Sequence, residues 1–425
     1  MEIEASPIEK LRAQAADPER FATAALARVN GSAGRNTYLT LDAAWTRDQA
    51  ARLASQGPDM EKLLYGLPVA LKDCFDLEGF VTSGGSRFYA SHNAPAISDS
   101  WVAARLKTAG ALITGKTHMQ MLAYGITGEN RDYGDCIQPA DATSLTGGSS
   151  SGSAAAIQEG SAVAAIGTDT GGSIRAPAAL CGLAGYRATL GIGDWCGGAH
   201  LAQSFDTIGW LCQDLRDLPL LARALFALAP AGGSAGSVRV RVVTGSTLED
   251  CDASVLTSLA AWRERIIRAG AQVEEVRPDF MADAFSIYAP LQAAEAARLH
   301  AGFFDEFEPV IADRLRWGAS LQAKEITELH VRHQGFVRET DALFSHADLL
   351  LMPAVPLPRL AAGTDLSAAR PRILRCTTPG SLAGLPAVVL PGKPGVQLLA
   401  ARGNDSRLLE FAARLGKRLA MEEAS

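Results

Sequence analysis

Two glycine-serine stretches carry the residues in this chain best suited to covalent chemistry: LTGGSSSGS at 145–153 and GTDTGGSIR at 167–175. A glycine-rich loop taken alone is a turn or a phosphate cradle, and neither stretch continues into the G-K-[ST] that a phosphate loop requires. In the second stretch, two glycines precede Ser173. They free the backbone to turn the amides of Thr170, Gly171, Gly172 and Ser173 toward one point, where an oxyanion would be held. A serine presented beside such amides is the arrangement acyl transfer needs, and the first stretch supplies further hydroxyls.

A serine hydroxyl is a poor nucleophile without a base. The histidines, at 92, 118, 200, 300, 330, 333 and 346, stand in no motif resembling a Ser-His-Asp triad or a G-x-S-x-G elbow. Lys72 ends the apolar run GLPVALKD. Desolvation there lowers the pKa of an amine, at about 1.4 kcal/mol per unit, and a second serine hydroxyl, both donor and acceptor, is the natural compensation.

These residues resemble the amidase signature family, whose triad is a serine, a second serine in a cis peptide, and a lysine at a strand end. The family's two serines stand twenty-four positions apart, and here 173 − 149 = 24, which selects Ser149 among three consecutive serines. The resemblance runs from about Gly66 to Trp210 through KDCFDLEG, YGITGENRDYG, LCGLAGYRAT and LAQSFDTIGW, and thins beyond to AEAARLH, LLLMPAVPLP and LAGLPAVVLP. GENRDYG, GGSSSGS and AQSFDTIGW are most similar to the shorter members, including plant amidases that hydrolyse indole-3-acetamide and their bacterial relatives. The resemblance implies Ser173 as nucleophile, Ser149 as bridging serine and Lys72 as general base.

It further implies an amidohydrolase that cleaves a small amide through an acyl-enzyme, with no metal or organic cofactor. An aryl-acetamide or another neutral amide is expected to be preferred over glutamine. Two alternatives are the glutamine-hydrolysing component of an amidotransferase, its A subunit, which shares fold and triad, and a non-catalytic binding protein, disfavoured because all three triad residues are present. Met121, Tyr124, Phe205 and Tyr288, with Met119 and Trp210, are candidates for an apolar pocket, although such residues more often belong to a core. Asp169 and Arg175 read as an ion pair bracing the nucleophile loop. Asp73 reads as structural, since a carboxylate touching Lys72 would raise its pKa. Ser150, Ser151 and Ser153 are expected to cap the following helix, and Cys181 to fill space in the core.

The elements that must position these groups alternate along the chain. Helical spacing covers 7–28, 41–55, 253–269, runs within 280–345, and a last helix capped at Asp405; SGSAAAIQEGSA follows its serines as a helix. Buried strands are expected at 65–73, 111–116, 163–168, 237–243, 271–276, 347–353, 387–391 and 396–401. The fold class is α/β, a single amidase-signature domain over 1–425 with a mixed, twisted central sheet sandwiched between helices. Within it, 1–60 supplies N-terminal helices, 62–215 the catalytic core, and AGGSAG at 231–236 a surface loop. The formal net charge of −6 and the lack of basic runs argue against a nucleic-acid or anionic-membrane partner. No apolar stretch approaches the roughly 18 residues of a membrane span, and the N-terminus lacks the features of a secretory signal, so a cytoplasmic enzyme is expected, with a homodimer one assembly open to it. Seven scattered cysteines read as buried thiols in a reducing compartment.

Overall fold

The protein is described by a computed structural model over residues 5–13, 17–31, 34–59, 61–231 and 237–423. Its strands are β1 (Tyr38–Thr40), β2 (Pro68–Lys72), β3 (Leu112–Thr117), β4 (Ile137–Gln138), β5 (Asp141–Leu145), β6 (Ala164–Thr168), β7 (Ala184–Arg187), β8 (Ile208–Cys212), β9 (Arg239–Val243), β10 (Gln272–Val276), β11 (Leu349–Pro353), β12 (Leu360–Ala361), β13 (Ala387–Leu390) and β14 (Val396–Ala400). Eleven form one mixed sheet in the order β1-β3-β2-β6-β8-β7-β13-β14-β11-β9-β10, while β12, β5 and β4 form a small separate sheet. The latter holds the polar QPADATSL stretch that leads into the first serine loop.

The central strands are apolar along their whole length because both faces of the sheet are covered by helices. Val69, Leu71, Ile166, Tyr186, Trp210, Val388 and Leu398 face one core, and the alternate residues Ala70, Ala165, Leu211, Val389 and Leu399 face the other. Strand β8, within LAQSFDTIGW, runs antiparallel beside β6, and β7, within LCGLAGYRAT, runs antiparallel beside β8; neither had a signal in sequence periodicity distinct from these motifs.

Two local expectations are corrected. Helical spacing over 7–28 resolves into separate helices, Pro7–Ala13 and Pro18–Gly31, the second opening at Pro18, which has no N–H to continue a preceding helix. Asp405 begins the last helix but its carboxylate is engaged elsewhere: it accepts from the Tyr186 hydroxyl at 2.5 Å and from the Thr189 amide and hydroxyl at 2.9 and 2.6 Å. The loop expected at 231–236 lies, apart from Ala231, outside the described residues. Five of the seven thiols are buried, whereas Cys251 is partly and Cys196 fully exposed. No helix among the described residues is long and apolar enough to cross a membrane.

Sheet order brings the chemistry together. β2 and β6 are adjacent and parallel, with Leu71 paired to Ile166, so their C-terminal ends finish at the same edge. Neighbouring strands lie about 4.8 Å apart, which brings Lys72 at the end of β2 beside Thr168 at the end of β6 and the GTDTGGSIR loop that follows it.

Candidate active site

Lys72 is fully buried, and its ammonium nitrogen donates to Ser149 Oγ at 2.8 Å and to Thr168 Oγ1 at 2.7 Å. Burial pushes its pKa down to about 8, against weaker opposing influences from Cys74, Asp206 and Asp169. Thr168 was not anticipated from the sequence. As the last residue of β6 it resembled any β-branched strand residue, and only strand adjacency reveals its contact. Asp73 stands next to Lys72 in the chain but turns away, forming an ion pair with the buried Lys116 at 2.8 Å and accepting from the Ser83 amide at 3.1 Å and from its hydroxyl. The adjacent carboxylate is thus spent on a different lysine, and Lys72 keeps hydroxyl partners only.

Ser149 follows a cis peptide bond after Gly148, the configuration implied by the resemblance. Its carbonyl accepts from the Gln120 amide at 3.1 Å, while the Gln120 side-chain oxygen accepts from the Thr127 and Gly128 amides at 3.0 Å each. Gln120 therefore ties the serine loop to the TGENRDYG turn, a role without a sequence signal of its own. The two serine loops are joined directly, the Ser150 amide donating to the Ser173 carbonyl at 3.1 Å. The expected capping by Ser150, Ser151 and Ser153 is corrected. Ser150 donates to the Thr168 carbonyl at 3.2 Å and Ser153 to the Ile166 carbonyl at 2.9 Å, so these hydroxyls fasten the helix Ser151–Glu159 to β6, while buried Ser151 Oγ has no partner among the described residues. The helix lies flat on the strand, and its serines meet strand carbonyls before they can fold back on their own amides.

Ser173 is 3 % exposed, and its hydroxyl has no hydrogen bond to another described residue. Of the four amides expected to face an oxyanion, Gly172 is not available: its N–H donates to Asp169 Oδ1 at 2.8 Å. The amides of Thr170, Gly171 and Ser173 carry no acceptor among the described residues. Glycine is required twice here. A Cβ on Gly171 would lie 2.4 Å from the Tyr288 hydroxyl, and Gly172 takes φ +126° against Thr377, where a Cβ would come within 2.7 Å.

The loop is braced by charge. Asp169 accepts from Arg175 Nε at 3.0 Å and Nη2 at 2.9 Å, and from Arg187 at 2.9 Å. Burial by itself would raise its pKa, but the two guanidinium groups hold the carboxyl well below the usual carboxylate range. Arg175 also donates to the Thr377 carbonyl, Gln397 Oε1 and Ser381 Oγ at 2.8, 3.0 and 2.7 Å, spending its donors on fixed acceptors. Beneath the loop, Asp206 accepts from Thr170 Oγ1 at 2.6 Å and contacts His200 Nδ1 at 2.8 Å.

A narrow cleft of about 10 Å³ opens on Ser173, lined by Ala123, Gly125, Ile126, Gly171 and Leu374 together with Tyr124, Tyr288, Gln292 and Arg370. Of the expected pocket residues, Tyr124 and Tyr288 line it. Phe205 is one layer behind, its ring centroid 5.0 Å from that of Tyr288, and Met121 and Trp210 belong to the core. Met119 lines a separate cavity with Cys74 and His300. Cys181 is buried in the core as expected. Arg370 and Gln292 were missed because neither falls in a motif with catalytic spacing.

Comparison with known proteins agrees with this architecture. The Amidase family model matches residues 21–409, well beyond the 66–210 traced by motif. The chain is 32 % identical to 2-amino-5-chloromuconic acid deaminase of Comamonas testosteroni, over 89 % of this chain and 87 % of that one. It is likewise 32 % identical to AtzE, a component of the 1-carboxybiuret hydrolase of Pseudomonas sp. (strain ADP), over 94 % of each. Identity to the A subunit of Glutamyl-tRNA(Gln) amidotransferase from Koribacter versatilis is 29 %, over 89 % of this chain and 90 % of that one. Among solved structures, a crystal structure of an amidase superposes with a TM-score of 0.86 at 29 % identity, covering 97 % of this chain and 98 % of the other. With its mixed sheet, its paired serine loops and a match spanning nearly all its length, the chain belongs to the amidase signature family and is a hydrolase of C–N amide bonds.

Proposed function

We propose that the protein is a free-standing amidohydrolase that cleaves the carboxamide of a small molecule through an acyl-enzyme on Ser173. The observation that carries this reading is the hydrogen bond from buried Lys72 to Ser149, on a loop whose backbone is hydrogen-bonded to the one bearing Ser173. Ser173 attacks the carbonyl carbon, its proton passing by way of Ser149 to neutral Lys72. The oxyanion of the tetrahedral intermediate is held by the amides of Thr170, Gly171 and Ser173, which are fixed before reaction and cost no reorganisation. Lys72 returns the proton by the same route to the departing nitrogen, the C–N bond breaks, and ammonia or an amine leaves. Water, deprotonated along the reversed relay, then attacks the ester, and Ser173 recovers its proton.

The second reading, the glutamine-hydrolysing component of a larger enzyme, is supported by relatives named as amidotransferase A subunits. Against it, the residues lining the Ser173 cavity include no carboxylate to meet the α-ammonium of glutamine. Co-purification with a stoichiometric partner from the native host would favour this second reading. The main test is labelling with a fluorophosphonate, which should leave one adduct, mapped to Ser173, and abolish amide hydrolysis. An adduct on Ser149 or Ser150 would mean the roles of the two loops are reversed.

A further inference from the structure

The cleft on Ser173 contains a cation with no counter-charge in ion-pair distance among the described residues. Arg370 lines it, and its Nε is buried without a hydrogen-bond partner. Among the described residues, no carboxylate lies within ion-pair distance of this guanidinium, whereas its helix neighbours Arg372 and Arg375 are both paired with Asp250. Arg314 is close by: its guanidinium and that of Arg370 lie 5.7 and 5.9 Å from the ring centroid of Tyr124. Arg314 donates to the Tyr124 carbonyl at 2.7 Å, again without an ion pair among the described residues. Two like charges gathered on one aromatic ring repel each other, and burial lowers the pKa of both, that of Arg314 to about 10.

Helix stability does not account for Arg370. It occupies the first turn of the helix Ala369–Leu382, the positive end of the helix dipole, where a cation is unfavourable. Stacking on Tyr124 recovers only part of the cost of holding a guanidinium out of water. A planar fork of donors lining the same cleft as Ser173 matches a carboxylate. The other polar atoms at the wall are neutral: the Tyr288 hydroxyl and the Gln292 amide, hydrogen-bonded to each other at 2.6 Å, with Gln292 Oε1 left unpartnered.

We propose that this cavity takes its amide substrate by a carboxylate bound to Arg370, with Arg314 reinforcing the positive field, so that the substrate is a small amide bearing one negative charge and no ammonium group. The inference rests on Ser173 being the nucleophile, because Ser173 and Arg370 wall the same space. It replaces the neutral amide expected from the sequence with an anionic one of the amic-acid type. It also separates the protein from glutamine hydrolysis, since a zwitterion would leave its ammonium unmatched.

The test is ammonia release from succinamate, succinamide and glutamine by the wild type, Arg370→Gln and Arg370→Lys. The wild type should favour succinamate over succinamide by about 10²-fold in kcat/KM, the worth of a charge-assisted bidentate contact. That ratio should collapse toward unity in Arg370→Gln, chiefly through KM, and recover in part in Arg370→Lys. A wild type that prefers succinamide or glutamine, or a succinamate preference that survives Arg370→Gln, would overturn the proposal. Should none of the three turn over, protection of Ser173 from fluorophosphonate by succinate decides the matter. Shielding in the wild type that is lost in Arg370→Gln supports the carboxylate site, and labelling indifferent to succinate refutes it. Failure of the nucleophile reading looks different: Ser173→Ala would retain activity and the label would map elsewhere, and the carboxylate proposal would fall with it.

Discussion

The lysine base makes its strongest demand on pH. A lysine in water is neutral in about one molecule per 2,500 at pH 7, from an ordinary pKa near 10.4. Burial in this protein, without a carboxylate neighbour, brings Lys72 to about 8. About one molecule in ten is then neutral at pH 7 and about nine in ten at pH 9, so the base form gains roughly two orders of magnitude over an exposed lysine. On a neutral amide such as succinamide, which has no titrating group of its own, kcat/KM should rise about ten-fold per pH unit below 8 and level off above it. The same displacement, from 10.5 to about 8, means that the folded protein at pH 7 bears about 3 kcal/mol for carrying the charged lysine. The sign is that of a folded pKa depressed below its unfolded value: this penalty is absent above pH 10.5 and fully present below about 8. Lys72→Met should accordingly cut kcat/KM by about 10²- to 10⁴-fold while holding or raising the thermal midpoint at pH 7. A rate profile flat from pH 6.5 to 9.5, or one with a midpoint near 10.5, would refute the claim that burial prepares this amine as a base.

Thr168→Val removes the hydroxyl that accepts from Lys72 at 2.7 Å, and with it a contact favouring the charged amine; the midpoint of the rate profile should move to lower pH while kcat falls about ten-fold with little change in KM, measured by steady-state kinetics. Lys72→Ala alone should cost about 10²- to 10⁴-fold in kcat/KM, and the double variant Lys72→Ala/Ser149→Ala should be little worse. Strictly multiplicative losses would mean that Ser149 and Lys72 act independently. Arg175→Met leaves the buried carboxylate of Asp169 with one partner fewer and strips donors from Thr377, Gln397 and Ser381, so urea denaturation should report a loss of about 3–5 kcal/mol. An unchanged urea midpoint would show that the ion-pair network does not brace the nucleophile loop.

The groups proposed as catalytic were legible in the sequence because they lie in short motifs. Two serines twenty-four positions apart and a lysine ending an apolar run, set beside the family they resemble, were enough to propose Lys72, Ser149 and Ser173, and buried strands announced themselves as unbroken apolar runs since both sheet faces are covered. What depends on which strand lies beside which was not legible. Thr168 meets Lys72 only because β2 and β6 are parallel neighbours, and Asp73 leaves Lys72 alone only because Lys116, forty-three residues further along the chain, claims it. The oxyanion loop loses one of its four amides to Asp169 through a turn whose geometry no residue type encodes. Arg370 is the clearest case: in the sequence it is one of three arginines within six residues, with nothing to distinguish it. Tertiary packing sets two of them against Asp250 and leaves the third facing Ser173 without a partner. Motif spacing determined the reaction, because reacting atoms must be delivered by specific side chains on specific loops. The charge proposed for the substrate rests on the fold alone, because an unpaired charge is a property of everything that surrounds it.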